Sequence, residues 1–150
     1  MGGPELCGGA GVPGSPDGEF AAAPCPTAVP TILLDFGYAD PLCDVYRYFD
    51  DGELPIATSG AAALALLVRC PGGANQSDAR ALVFAGSFGP RGVLTVQLDA
   101  SALGLGSTPA AYDVETRQPI EIVPRCAPPR EWLNFSVRLD RHSFRMVVVE

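Results

Sequence analysis

The last nineteen residues constrain the fold of this chain most, because they show the pattern of two consecutive β-strands. From Leu133 to Asp140, apolar and polar side chains alternate, which places the apolar ones on one face of a half-buried strand. The polar segment Arg141–Ser143 then interrupts the pattern. The run Phe144–Val149 is largely apolar and β-branched, as expected of a strand covered on both faces. The segment therefore predicts two strands joined by a tight polar corner.

Turn-forming residues divide the preceding part of the chain into further short β-prone segments. Short strands at this spacing are typical of an antiparallel sandwich or barrel. Helix propensity competes over Ser59–Val68, but we interpret Leu64–Cys70 as a strand that pairs across a loop with Arg80–Phe84. The predicted strands before the C-terminal pair are Ile32–Phe36, Asp44–Phe49, Ala63–Cys70, Arg80–Gly86, Gly92–Asp99, Ala111–Val114 and Ile120–Val123. We predict an all-β antiparallel sandwich, immunoglobulin-like or Greek key, of about 8–9 strands.

The N-terminal thirty residues differ from the rest in being rich in Gly, Pro and Ala. Repeated prolines interrupt any helical or strand register there. We expect residues 1–30 to form a disordered or extended tail and residues 31–150 to form the sandwich domain. The tail is interpreted either as a linker from an upstream domain or as an extension without a function.

The charge balance excludes several classes of partner. Ten basic and seventeen acidic residues give a net charge of −7, so phosphate backbones and anionic lipids should be repelled. All the basic residues are arginine, which excludes lysine Schiff-base chemistry. We therefore expect no nucleic-acid partner, and we also expect no cofactor. We expect no membrane insertion, because no apolar run reaches spanning length and no signal peptide is visible. The sequence assigns no compartment.

The five cysteines are an odd number, are widely separated and form no CxxC pair. With a single histidine to help them, they do not predict a zinc site. We expect buried or incidental thiols, and a thiol at Cys70 in particular should be protonated and inert inside a core strand. Disulfides stay open as the alternative, with no pairing assigned. Two sequons, at Asn75 and Asn134, would matter only in a secretory compartment.

Ionisable side chains do not form a recognisable catalytic motif in the sequence. Asp50 and Asp51 are adjacent, and neighbours on an extended chain point to opposite faces, so we interpret the Asp51-Gly52 step as a turn. His142 has an intrinsic pKa near neutrality, but it lies in the predicted corner between two strands, where a structural role is favoured. We predict no catalytic residues, and a residual enzyme built on Asp50, Asp51 and His142 is the alternative.

Four aromatic residues are the candidates for a binding surface. A sugar ring can stack on an aromatic side chain through its apolar face. Core or interface packing is the favoured interpretation of the same residues. If Trp132 shared the polar strand face with Asn134 and Arg138, its side chain would be more exposed, which would favour binding. The candidates for carbohydrate binding are Trp132, Tyr46, Tyr48 and Tyr112.

Four segments, which together span roughly residues 40–150, carry a resemblance to a known family. They are the aromatic strand and acidic turn Val45–Asp51, the strand Val93–Asp99 leading into Leu103–Leu105, the segment Ala111–Thr116 before Pro119-Ile120, and the closing His142–Val149. This order resembles the C-terminal β-sandwich that follows the TIM-type barrel in many glycoside hydrolases and glycoside-hydrolase-like proteins.

The resemblance implies an accessory role and no chemistry. In those enzymes the acid and nucleophile carboxylates lie on the barrel, which needs about 250 residues and has no room in this chain. We therefore expect a non-catalytic domain that packs against a catalytic barrel absent from the chain, and that keeps an exposed apolar patch for it. The alternative from another class is a stand-alone carbohydrate-binding module.

Overall fold

A computed structural model describes residues 28–72, 79–106, 108–127 and 130–150. The chain divides into two units, with the boundary between Tyr38 and Ala39. The second unit, Ala39–Glu150, contains both sheets of the β-sandwich. The predicted tail, residues 1–30, lies outside the described residues except for its last three.

The described part of the first unit contains the helix α1, Ala28–Phe36. The prediction of a strand over Ile32–Phe36 is therefore wrong. A short apolar run such as Ile32–Leu34 fits a buried strand or a helix equally well, because it has no periodicity of its own. Pro30 does not prevent the helix, since it lies in the first turn, where the missing N–H has no intrahelical acceptor.

Ten strands are found in the described part of the sandwich, and every pair is antiparallel. They form two sheets, one of six strands in the order β1-β3-β4-β10-β6-β7 and one of four in the order β2-β5-β9-β8. The predicted all-β antiparallel sandwich is confirmed. The strands are β1 Asp44–Arg47, β2 Ile56–Gly60, β3 Ala63–Cys70, β4 Arg80–Ser87, β5 Gly92–Asp99, β6 Ala111–Asp113, β7 Pro119–Ile120, β8 Val123–Ala127, β9 Arg130–Leu139 and β10 Phe144–Val149.

Strands with a strong pattern lie where the sequence predicts them. β3 and β5 have the predicted bounds, and β3 pairs with β4 as expected, with Leu67 opposite Val83. The single strand predicted over Ile120–Val123 is instead the end of β7 and the start of β8, in different sheets. β2 was not predicted, because its sequence IATSG has neither alternation nor bulky β-branched repetition. Its end is set by Gly60, where φ is +99° and an added Cβ would lie 2.4 Å from the Val93 carbonyl oxygen.

The core lies between the two sheets. The alternating residues Leu94, Val96 and Leu98 of β5 face it, together with Leu133, Phe135, Val137 and Leu139 of β9. The six-stranded sheet contributes smaller inward side chains: Leu67, Ala81, Val83, Ala85, Ala111, Val147 and Val149. A one-turn helix, α2 (Ala100–Leu103), follows β5 and is capped by Asp99, whose Oδ1 accepts the Ala102 N–H at 3.0 Å.

The structure corrects the expectation of free thiols for two cysteines. Cys43 and Cys70 form a disulfide, with their Cα atoms 4.4 Å apart. Cys43 continues the β1 register, in which Asp44 lies opposite Arg69, so the two cysteines are directly opposed across neighbouring strands. Opposed residues of a non-hydrogen-bonded antiparallel pair have this Cα separation. The disulfide could not be predicted from the sequence, because it depends on β1 pairing with β3 and not with β2, the strand that follows β1 in the chain.

Candidate functional site

The four aromatic candidates lie in different parts of the sandwich. Tyr46, in β1, packs against the core. Burial is the main cause that raises the pKa of its phenol, and the nearby Asp44 carboxylate is the second. Tyr48 lies just beyond β1, is 57% exposed and makes an edge-to-face contact with Phe49, at 5.0 Å between ring centroids. Tyr112 is in β6 opposite Val148, and Trp132 is in β9 opposite Asp99.

These aromatic side chains do not meet at one surface. Strands β1 and β6 are four positions apart in the six-stranded sheet, or about 19 Å at the usual strand spacing. That separates Tyr46 and Tyr48 from Tyr112. Trp132 belongs to the four-stranded sheet and is half-buried. Only Tyr46 and Tyr48 are near one another, each lining a different cleft that also includes Leu54.

The ionisable candidates have structural partners. The Arg47 N–H donates to Asp50 Oδ2 at 2.7 Å, and the Asp50 N–H donates to the Arg47 carbonyl oxygen at 3.0 Å. The Asp51-Gly52 step does turn the chain, with φ of +101° at Gly52, but it carries the chain between sheets rather than closing a hairpin. His142 lies in the predicted corner at φ of +55°, and its Nε2 accepts a hydrogen bond from Arg141 at 3.2 Å.

Two buried carboxylates were not singled out in the sequence. Asp113 accepts the N–H groups of Glu115 and Thr116, both at 2.9 Å, and its other oxygen lies 3.4 Å from Arg145. Asp99 caps α2 and lies 3.8 Å from the Arg130 guanidinium. Each therefore organises a turn of backbone. The Asp113 turn has a weak sequence signal, since an Asp side chain often accepts the backbone N–H two residues on, as in an Asx turn.

Arg130 lies between two acidic side chains at one end of the sandwich. It forms an ion pair with Glu53 and is close to Asp99. The hydrogen bond from Arg130 is the main cause that lowers the pKa of Glu53, and the same bond raises that of the guanidinium. A cleft of about 200 Å³ opens beside these three groups and is also lined by Tyr46, Leu54 and Pro55.

The outer face of the six-stranded sheet is apolar, unlike the polar outer face expected of a sandwich. Alternate residues of β3, β4 and β10 point away from the core in register, so that Leu66, Phe84 and Met146 form one row. Val68, Leu82 and Met146 are fully buried in the middle of this face. The alternating β10 side chains are thus buried on both faces, as the sequence predicts for that strand.

One end of this face forms an exposed apolar surface, which we call the phenylalanine patch. Leu64 is 40% exposed, and Phe88 is 59% exposed. The half-buried rings of Phe84 and Phe144 stack with centroids 5.6 Å apart. Leu64 and Phe144 lie on either side of Gly86 in the register. The patch, consisting of Leu64, Phe84, Phe88 and Phe144, therefore surrounds a position without a side chain.

The outer face of the four-stranded sheet is polar by contrast. Thr95 and Ser136 are opposite each other, with their hydroxyl oxygens 3.3 Å apart, and Gln97 is opposite Asn134. Asn134 is half-buried, and its side-chain oxygen has no hydrogen-bond partner among the residues that the structure describes. The other sequon, at Asn75, lies outside the described residues. The two broad faces of the sandwich thus differ sharply in polarity.

Comparisons of this chain with protein-family models, with curated proteins and with solved structures found no match. Among the described residues, no cluster of three or more His, Cys, Asp or Glu side chains is placed to hold a metal ion. No helix in the described ranges combines the length and the apolar character needed to cross a membrane.

Proposed function

We propose that this chain is a non-catalytic accessory β-sandwich that packs against a neighbouring domain through the phenylalanine patch. The domain it covers is a catalytic barrel of the glycoside-hydrolase-like kind. The patch is the observation that carries the proposal. Clustered exposed aromatic side chains are costly in water and mark interaction sites, and aromatic residues supply much of the binding energy at interfaces.

The arrangement of the patch supports docking of a complementary side chain. An added Cβ at Gly86 would have only the Phe84 ring within 4 Å, at 3.8 Å. The space above Gly86 is therefore open, with Leu64 and Phe144 opposite Gly86 on the neighbouring strands and the Phe84 ring beside it. An apolar side chain of the partner that enters this space would be desolvated on several sides, as anchor residues of interfaces are.

The buried carboxylates support the absence of catalysis in this proposal. A glycosidase needs one carboxyl as acid and another as base or nucleophile on either side of the sugar. Asp99 and Asp113 instead accept backbone N–H groups, and Asp50 closes a turn beside Arg47. Their lone pairs are used to hold the backbone.

Binding to a barrel tests this role directly. The partner to express is the protein or domain encoded immediately upstream of this chain, which we expect to be a barrel. We expect the two recombinant proteins to associate, and Gly86→Arg to weaken the complex by about tenfold or more, because it places a charge among apolar groups.

Ser136→Arg is the matched control, since it adds the same side chain to the polar outer face of the other sheet. Circular dichroism should show that both variants stay folded, and calorimetry should measure the affinities. An upstream sequence that encodes no barrel, or a complex that Gly86→Arg leaves as tight as the control does, would contradict the proposal.

A second candidate function, a carbohydrate-binding module, is favoured by the position of Trp132. This half-buried side chain lies on the same strand face as Asn134 and Arg138. An aromatic ring beside amide and guanidinium groups can stack on a sugar and hydrogen-bond its hydroxyls.

Titration with oligosaccharides would decide between binding and packing for Trp132. Because it is the only tryptophan, its fluorescence reports on this surface alone. If the module binds sugar, we expect a saturable shift below about 1 mM ligand that Trp132→Ala abolishes and Tyr112→Ala does not. No shift across cellulose, xylan, mannan and chitin oligosaccharides would remove this candidate.

A further inference from the structure

The free edge of β2 is the second unusual surface of the sandwich. Among the described strands, β2 pairs with β5 alone. The Asp99 N–H donates to the Pro55 carbonyl oxygen at 2.9 Å, and the Ala61 N–H donates to that of Val93 at 3.0 Å. Bonding alternates along an antiparallel strand, so the N–H and C=O groups of Ile56 and Thr58 point away from β5.

These backbone groups have no partner among the described residues, and β2 lacks the usual protection of an edge strand. Natural edges are blunted by charge, proline, bulges or covering segments. At the edge of β1, two N–H groups have acceptors: the Asp40 carbonyl oxygen accepts the Cys43 N–H, and the Asp50 carboxylate accepts the Arg47 N–H. β8 contains Pro124, whereas β2 reads Ile-Ala-Thr-Ser-Gly and has neither charge nor proline.

An open cleft lies beside this edge, between the two sheets. It measures about 210 Å³ and is lined mainly by apolar groups, those of Leu54, Ile56, Ala63 and Ala65, together with Tyr48 and Thr58. Ile56 is opposite the core residue Leu98, and Thr58 is opposite Val96, so both face inward. A strand added beyond β2 would therefore point alternate side chains into the cleft.

We propose that β2 and this cleft bind an extended peptide by β-strand addition. The peptide pairs with Ile56 and Thr58 through its main chain and inserts two aliphatic side chains, two positions apart, between the sheets. Strand addition takes its affinity from backbone hydrogen bonds and its specificity from pockets for alternate side chains.

The charges near Leu54 determine which residue the peptide should carry at the end that passes Leu54. Leu54 also lines the neighbouring cleft, where the carboxylates of Glu53 and Asp99 face the single guanidinium of Arg130. Two negative charges against one positive leave an excess of one, in a chain of net charge −7. A strand antiparallel to β2 brings its C-terminal end to this point, so the ligand carries Lys or Arg after its aliphatic residues.

The probe is an acetylated, fluorescein-labelled peptide of sequence Val-Thr-Val-Thr-Lys, titrated with the full chain and followed by fluorescence anisotropy. We expect saturable binding below about 1 mM. N-methylation of either valine should weaken it about tenfold or more, because those N–H groups face β2, whereas N-methylation of the threonine between them should not. Replacing lysine by glutamate should also weaken binding, and salt should reduce that difference.

Thr58→Pro removes the outward N–H without affecting the ladder to β5, and should weaken binding about tenfold or more. Thr58→Val keeps the N–H and should bind like the native chain. Equal binding of all the N-methylated peptides, or no binding of the parent peptide, would overturn the proposal even if Thr58→Pro failed to fold. A dimer of the native chain that Thr58→Pro dissociates would overturn it in favour of a second copy at this edge.

Discussion

At the scale of single residues, Tyr46 links the packing of β1 to the pH dependence of stability. Burial and the neighbouring Asp44 carboxylate raise its pKa above the ordinary value of 10.0, so folding favours the neutral phenol. A raised pKa contributes stability that is complete below the unfolded value and is lost as the pH rises through the folded value. We expect the free energy of unfolding to decrease above pH 10.0 more steeply in the native chain than in Tyr46→Phe.

Urea denaturation between about pH 8 and pH 11 measures this difference. The two proteins differ at this residue alone, so the difference between their curves reports on Tyr46. Parallel curves for the two proteins across this range would show that the Tyr46 phenol has the same pKa in the folded and unfolded chain.

At the scale of the element, the Cys43–Cys70 disulfide holds the edge strand β1 on the six-stranded sheet. The bond joins residues 27 positions apart, and closing a loop of this size in the unfolded chain is worth about 3–4 kcal/mol in the chain-entropy model. In the part of the sheet that the structure describes, β1 has one neighbouring strand, β3. We expect the double substitution Cys43→Ser, Cys70→Ser to lower the free energy of unfolding by an amount of that order.

Chemical denaturation with and without dithiothreitol tests the expectation. The reductant should destabilise the native chain and leave the double variant unchanged, which controls for the other three cysteines. Equal stability of the oxidised native chain and the double variant would mean that strand pairing alone, such as Val45 opposite Val68, holds β1 in place.

At the scale of the whole sandwich, the two sheets differ in the polarity of their outer faces. The outer face of the four-stranded sheet is polar and includes Thr95, Gln97, Ser136 and Arg138. The six-stranded sheet is apolar on both faces and exposes Leu64 and Phe88 at one end. The middle of this outer face is already buried at Val68, Leu82 and Met146, so the apolar surface left exposed is the end with Leu64 and Phe88. This asymmetry is what makes a docking role for the phenylalanine patch the best supported function.

Sequence patterns alone determined the strands that have strong periodicity and the class of fold they build. β5, β9 and β10 follow from the alternation of Leu94, Val96 and Leu98 and from the C-terminal segment, because a period of two is itself the geometry of a strand. The short apolar run at Ile32–Leu34 was misread, since without a period it fits helix and strand alike.

Apart from the predicted β3–β4 pair, only the tertiary structure decided which strands become neighbours, and the candidate sites depend on those pairings. Leu64, Phe84 and Phe144 are far apart in the sequence and meet because β3, β4 and β10 are adjacent. The pairing of β1 with β3 brings Cys43 to Cys70. The position of β2 at the end of its sheet leaves its outer edge free. Hydrophobic periodicity specifies which face of a strand is buried, but the partner strand is selected by the packing of the whole sandwich, which no local pattern encodes.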